Sequence, residues 1–140
     1  MTHFSLPELC HSVTATLNGL DNIPTLAKAT NLEYLVDTLL DPLRELYGEP
    51  IIVQSGYRCP TLNALVGGVP NSAHVDGLAA DISSVGNYRT KNQSLVSLIL
   101  STPLPFDQLI LYDCLRSGPR WLHVSLRLDP SQNRHHILHR

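Results

Sequence analysis

Ser72-Ala-His74-Val-Asp-Gly77-Leu-Ala-Ala-Asp81-Ile82 sets an imidazole and a carboxylate seven residues apart, with a glycine between them and small apolar residues ahead of the carboxylate. Gly77 lets the chain turn, and Leu78 to Ile82 then reads as a short strand, so His74 and Asp81 can reach one side of a sheet. A carboxylate flanked by Ala80 and Ile82 needs a cation or strong donors to offset its desolvation. Further on, Trp121-Leu-His-Val-Ser-Leu126 reads as another strand, in which His123 shares a face with Trp121 and Ser125. His74, Asp81 and His123 are therefore potential metal ligands held at strand edges, where rigid backbone fixes a side chain. Two nitrogens and one oxygen leave a tetrahedral Zn²⁺ one open position, the arrangement of a catalytic site, in which the ion lowers the pKa of a bound water and polarises a carbonyl. By spacing alone, two satisfied core histidines and a structural aspartate are the commoner explanation of such a set.

Working outward, Ser5-Leu-Pro-Glu8 has capping-box spacing with a proline in the first turn, which predicts a helix from residue 6 to about Asn18-Gly19. Asn31 is placed to cap a second helix, in which Leu32, Leu35, Val36, Leu39, Leu40, Leu43 and Leu46 recur at three- and four-residue steps before Gly48 and Pro50 end it. Ile51 to Gln54 is a β-branched strand, and Pro60 opens a helix that Gly67-Gly68 closes. Residues 89 to 100 form a helix on a Leu95, Leu98, Ile99 stripe, broken by Pro103 and Pro105. Gln108 to Tyr112 and Trp121 to Leu126 read as a hairpin around Ser117-Gly-Pro119, and the tail after Asp129-Pro130 is polar, with His135, His136 and His139. Helices first and short strands after predict an α+β fold with a small, mostly antiparallel sheet flanked by helices.

At 140 residues and 43% hydrophobic content the chain is sized for one domain, residues 1–140, with a single core. Ten Lys and Arg against twelve Asp and Glu leave no basic surplus, which disfavours nucleic acid and anionic membranes as partners. Cys10, Cys59 and Cys114 are dispersed and odd in number, so they make neither a disulfide framework nor a thiolate zinc site. The opening residues lack the basic and apolar regions of a secretory signal, and no run is long enough to span a membrane, so the expectation is a cytoplasmic product, released to the cell wall if at all through a separate pore.

The local words are more specific than the spacing. Ser55-Gly-Tyr-Arg58-Cys-Pro60, Leu62-Asn63, Val66-Gly-Gly68, Ser72-Ala-His74, Gly77-Leu-Ala-Ala-Asp81-Ile, Phe106-Asp-Gln-Leu-Ile110 and Trp121-Leu-His123-Val-Ser125 run through nearly the whole chain. Together they closely resemble the zinc D-Ala-D-Ala carboxypeptidase and L-Ala-D-Glu endopeptidase family of peptidoglycan peptidases, in the short single-domain form found in bacteria and their phages. The resemblance implies the hedgehog-type zinc fold, Zn²⁺ as cofactor and a peptidoglycan stem peptide as substrate. It assigns the three metal positions to His74, Asp81 and His123. Arg58 then matches the arginine that holds a substrate carboxylate or polarises the scissile carbonyl, a role suited to a permanently charged, bidentate guanidinium, and Ser72 matches a polar position near substrate. Without the resemblance, Arg58 reads as a surface arginine stacked on Tyr57, and Ser72 as a turn residue.

One departure concerns the proton acceptor. The acidic residue that relatives carry three positions before the last ligand histidine is Arg120 here. An alternative place, just after Gln-Leu-Ile, holds Tyr112 followed by Asp113, which makes Asp113 the first candidate for the general base and leaves Asp76 and Asp107 behind it. A one-residue strand shift would turn Asp113 to the wrong face. The sequence therefore predicts a zinc peptidase acting on peptidoglycan stem peptides, with a non-catalytic, zinc-stabilised peptidoglycan-binding module as the alternative and a phage structural domain as a third.

Overall fold

The computed structural model describes residues 1–140. Five strands, β1 (Ile51–Ser55), β2 (Ala79–Ser84), β3 (Gln108–Tyr112), β4 (Trp121–Ser125) and β5 (His136–His139), form one sheet in the order β1-β2-β4-β3-β5. Three pairings are antiparallel and the fourth, β3 with β5, is parallel. The α+β class stands, but the sheet is mixed rather than mostly antiparallel. The expected polar tail supplies the parallel edge. Its docking begins where the buried Asp107 takes hold of it, the Asp107 carboxylate accepting from the Arg134 N–H at 3.0 Å and the Asp107 carbonyl from the His136 N–H at 2.8 Å.

Period-2 alternation divides the sheet. Ile51, Val53, Ala80, Ile82, Leu109, Leu111, Leu122 and Val124 face one way and join the core. Helices cover that face: α3 (Leu26–Leu35), the π turn Val36–Leu40 that follows it, α4 (Asp41–Tyr47) and α6 (Tyr88–Ser101) bring Leu32, Leu35, Leu39, Leu40, Leu43, Leu95 and Ile99, all essentially inaccessible, against it. Asp81, His123, Ile110 and Tyr112 point the other way, where no helix layer covers them. Burying one apolar face thus leaves the opposite face for polar side chains.

Two helices differ from their expected extents. The first splits into α1 (Leu6–Cys10) and α2 (Val13–Leu17) because the last carbonyls of α1 have other partners: Leu9 O accepts from the Tyr57 N–H at 2.8 Å and Cys10 O from Asn22 Nδ2 at 2.8 Å. Ser12 then caps α2, its Oγ accepting from the Ala15 N–H. The second helix begins at Leu26 rather than after Asn31, because Thr25 Oγ1 caps it by accepting from the Lys28 N–H. It passes through one π turn, Val36–Leu40, closed by the Asp41 N–H donating to Val36 O, directly ahead of Pro42. A proline removes an amide donor and crowds the preceding turn, and widening that turn relieves both. Gly48 ends the helix at φ 78°. The helix α5 (Pro60–Leu65) and the strand limits of β3 and β4 follow the sequence closely.

Candidate metal centre

Asp81 and His123 are direct cross-strand partners on the two central strands, β2 and β4, so their side chains leave the sheet side by side. His74 reaches them from the loop ahead of β2. Its backbone is fixed by the Arg58 N–H donating to His74 O at 3.1 Å and by its own N–H donating to Ser72 Oγ at 3.2 Å. Gly77 then swings the chain into β2 at φ 73°, and a Cβ there would stand 2.6 Å from the Lys28 carbonyl oxygen.

The side-chain atoms converge as a triangle. His74 Nε2 lies 3.2 Å from Asp81 Oδ1 and 3.2 Å from His123 Nδ1, and His123 Nδ1 lies 3.1 Å from Asp81 Oδ1. His74 Nδ1 is 2.7 Å from the Gly56 carbonyl, which can only accept, so Nδ1 carries the ring proton and Nε2 presents its lone pair. A neutral His123 likewise presents Nδ1 with its proton on Nε2. Three lone pairs then meet with no proton among them. A tetrahedral Zn²⁺ with bonds of about 2.0–2.1 Å separates its ligands by about 3.3 Å, and the observed triangle has the edges of such a face. The donor set, two imidazoles and a carboxylate, suits that ion as well.

Burial pushes the Asp81 carboxyl up, but hydrogen bonds and charge from His123 and His74 outweigh it and hold the carboxyl below the ordinary range. The carboxylate is ionised whether a cation or a protonated imidazole faces it.

Arg58 completes the immediate surroundings. Its Nε donates to Ser55 Oγ at 3.0 Å, Nη1 to Asn63 Oδ1 at 3.3 Å and Nη2 to Asp81 Oδ2 at 3.3 Å, so Asp81 gives one oxygen to the triangle and the other to a guanidinium. A bulge in β1 between Val53 and Ser55 sets Ser55 opposite Asp81, which aims its hydroxyl at Arg58. Three of the five guanidinium N–H groups are used, and both Arg58 and Ser72 line a cavity of about 760 Å³. Arg58 is therefore pinned beside the triangle and does not stack on Tyr57. Asn63, 2% exposed, also donates through Nδ2 to Val69 O at 2.7 Å, tying α5 to the ligand loop. Its place in Leu62-Asn63 marked it in the sequence, but nothing there named its partners.

Asp113 is not brought to the triangle. It leaves β3 at φ 48° and is exposed, and its carboxylate takes Arg89 Nη2 at 3.0 Å beside α6, on the helix-covered side of the sheet. Tyr112, one residue earlier, points into the cavity and stacks on Trp121 with ring centroids 4.7 Å apart and planes 7° apart. Asp76 and Asp107 also line the cavity, each with a cation: Lys28 Nζ is 2.8 Å from Asp76, and Arg134 and Arg127 grip Asp107. Cys59 caps α5 through Sγ, which accepts from the Leu62 N–H at 3.4 Å, a structural role.

No curated protein matches the chain. A family model described as Peptidase M15 matches residues 2–111, a stretch that holds Arg58, Ser72, His74 and Asp81 and stops ahead of His123. Since that match spans well over half of the 140 residues, the chain belongs to the Peptidase M15 family, metallopeptidases of the zinc D-Ala-D-Ala carboxypeptidase type.

Proposed function

We propose that the chain is a zinc peptidase that hydrolyses a peptide bond in the stem peptides of peptidoglycan, and so acts at the cell wall. The observation that carries this reading is the lone-pair triangle of His74, Asp81 and His123 on the helix-free face of the sheet, opening into a cavity of peptide size. Those three residues would hold the ion, which supplies when bound a Lewis acid and a lowered pKa for water. The rest of the chemistry falls to the chain. The His74 Nδ1–H donates to the Gly56 carbonyl, which fixes the ring and keeps Nε2 free of protons. Arg58, held on three sides, presents its remaining N–H groups to a substrate carboxylate or to the oxygen on which negative charge develops. Ser72 holds the His74 backbone while lining the cavity.

Proton transfer is the step for which the cavity is least equipped. The side-chain carboxylates that line it, Asp76, Asp81 and Asp107, each face a cation or belong to the triangle, and Tyr112 holds a hydroxyl at the position just after Gln-Leu-Ile. That observation favours a second reading, a zinc-stabilised module that binds stem peptide without cutting it. Release of new amino groups from purified peptidoglycan separates the two. The peptidase reading expects release by zinc-loaded protein that vanishes on chelation and in His123→Ala; tight peptide binding by zinc-loaded protein with no release would replace it with the binding module. Tyr112→Phe, run alongside, should lower turnover and leave zinc affinity unchanged if the hydroxyl moves a proton.

A further inference from the structure

The far end of the same cavity holds a group of charges that the metal centre does not use. Arg134 donates to the buried Asp107 through Nε and Nη2, both at 3.0 Å, and Arg127 Nε stands 3.2 Å from the same carboxylate. Two guanidiniums thus share one negative charge. Their side chains are 48% and 42% exposed, and both residues line the cavity. Arg127 keeps both terminal nitrogens free, while its backbone N–H is fixed on Asn133 Oδ1 at 2.9 Å. Burial pushes the Asp107 carboxyl up, but the hydrogen bonds from Arg134 and Arg127 hold it down at about 2, so this charge balance persists at any working pH.

Charge distribution points the same way. The chain is acidic overall, yet four of its ten Lys and Arg residues, Arg58, Arg127, Arg134 and Arg140, line this one cavity. Asp76 there is neutralised by Lys28, and Asp81 belongs to the triangle. A preorganised pair of guanidiniums with one uncompensated positive charge is a receptor for a planar anion. The strand register sets the scale of the ligand. Asp107 donates its N–H to Ser125 O at 2.7 Å, and Ser125 is two residues along β4 from His123, or about 7 Å of extended chain. A peptide laid along the sheet would cover that span with about two residues.

We infer that Arg127 and Arg134, held by Asp107, form an anion subsite that selects a peptide bearing a side-chain or branch carboxylate one to two residues from the bond placed at the triangle. The inference rests on the peptide-cleaving or peptide-binding use of the cavity. It adds a specificity element whose two arginines lie beyond residue 111, outside the stretch that the family model matches.

The test is a pair of peptides, L-alanyl-γ-D-glutamyl-L-lysine and the same peptide with the free α-carboxylate of its glutamyl residue amidated, titrated calorimetrically into zinc-loaded protein. The acid form should bind about tenfold more tightly than the amide. Arg127→Gln, chosen because Arg134 also anchors the backbone, should bring the ratio to within about twofold of one without weakening the amide peptide. Equal binding of the two peptides by the parent protein, or a preference that survives Arg127→Gln, would overturn the subsite. If neither peptide binds, the peptide reading fails by itself, and glutarate decides the subsite. Displacement of the Arg127 and Arg134 Nε–H resonances by millimolar glutarate, abolished for the remaining Arg134 signal in Arg127→Gln, would uphold it; unmoved resonances would end it.

Discussion

Gly56→Ala tests how the metal centre is built. A Cβ at Gly56 would fall on the carbonyl oxygen of Leu9, with the Leu9 carbonyl carbon at 3.0 Å and Cα at 3.1 Å, all backbone atoms of α1 with no flexible end to yield. Either α1 or the Gly56 peptide must move. Either movement disturbs the Tyr57 N–H to Leu9 O bond at 2.8 Å, and movement of the Gly56 peptide also disturbs the His74 Nδ1–H to Gly56 O bond at 2.7 Å. Loss of the first costs about 1–3 kcal/mol of stability if its partners stay buried. Loss of the second frees the His74 ring, and such outer partners of metal-binding histidines are worth about 10–100-fold in metal affinity, or about 1.4–2.8 kcal/mol. Zinc affinity by chelator competition and the urea midpoint of the metal-free protein measure the two separately. Gly48→Ala is the control: it removes a left-handed helix end at φ 78° with open space around it, so it should lower stability and leave zinc affinity alone. A folded Gly56→Ala protein whose His74 Nδ1–H resonance shows the bond to the Gly56 carbonyl lost, yet whose zinc affinity is the parent's, would refute the claim that the Gly56 carbonyl orients His74.

Other consequences can be checked with simple assays. Asp113→Asn removes an exposed pairing with Arg89 and should change stability by less than about 1 kcal/mol and zinc affinity by less than about twofold; a large loss of zinc would put Asp113 back at the centre. Leu39→Ala empties a fully buried position between the helices and the sheet and should lower the unfolding free energy by about 2–5 kcal/mol in a denaturant titration. Asp107 titrates lower in the folded chain than in the unfolded one, so its contribution is whole above about pH 4 and is lost as pH falls toward about 2. Unfolding midpoints measured across that range should fall less steeply in Asp107→Asn than in the parent.

What the sequence made legible follows from the range of the interactions involved. His74, Asp81 and His123 could be named because alternation within β2 and β4 is local, and a direct pairing of those strands brings the last two together. The second helix was legible from its leucine stripe, but its start depended on Thr25, and its π turn answers to Pro42 six residues after the turn's first position. The split of the first helix was not legible, since Tyr57 and Asn22, which take the carbonyls of Leu9 and Cys10, come from distant turns. β5 was missed because four residues with mostly exposed side chains carry almost no apolar pattern; what docks them is backbone pairing to β3 and the hold of Asp107 on Arg134. Asp113 lies away from the triangle for the reason alternation supplies: Tyr112 takes the cavity face, and the next residue turns away at positive φ.

The central claim is that His74, Asp81 and His123 together hold one zinc ion. Metal content after exhaustive dialysis of zinc-loaded protein tests it directly, with the parent compared against His74→Ala, Asp81→Ala and His123→Ala. One zinc per chain is expected in the parent, with an affinity at least about a hundredfold weaker in each variant. Zinc retained at the parent's stoichiometry and affinity in His123→Ala would contradict it.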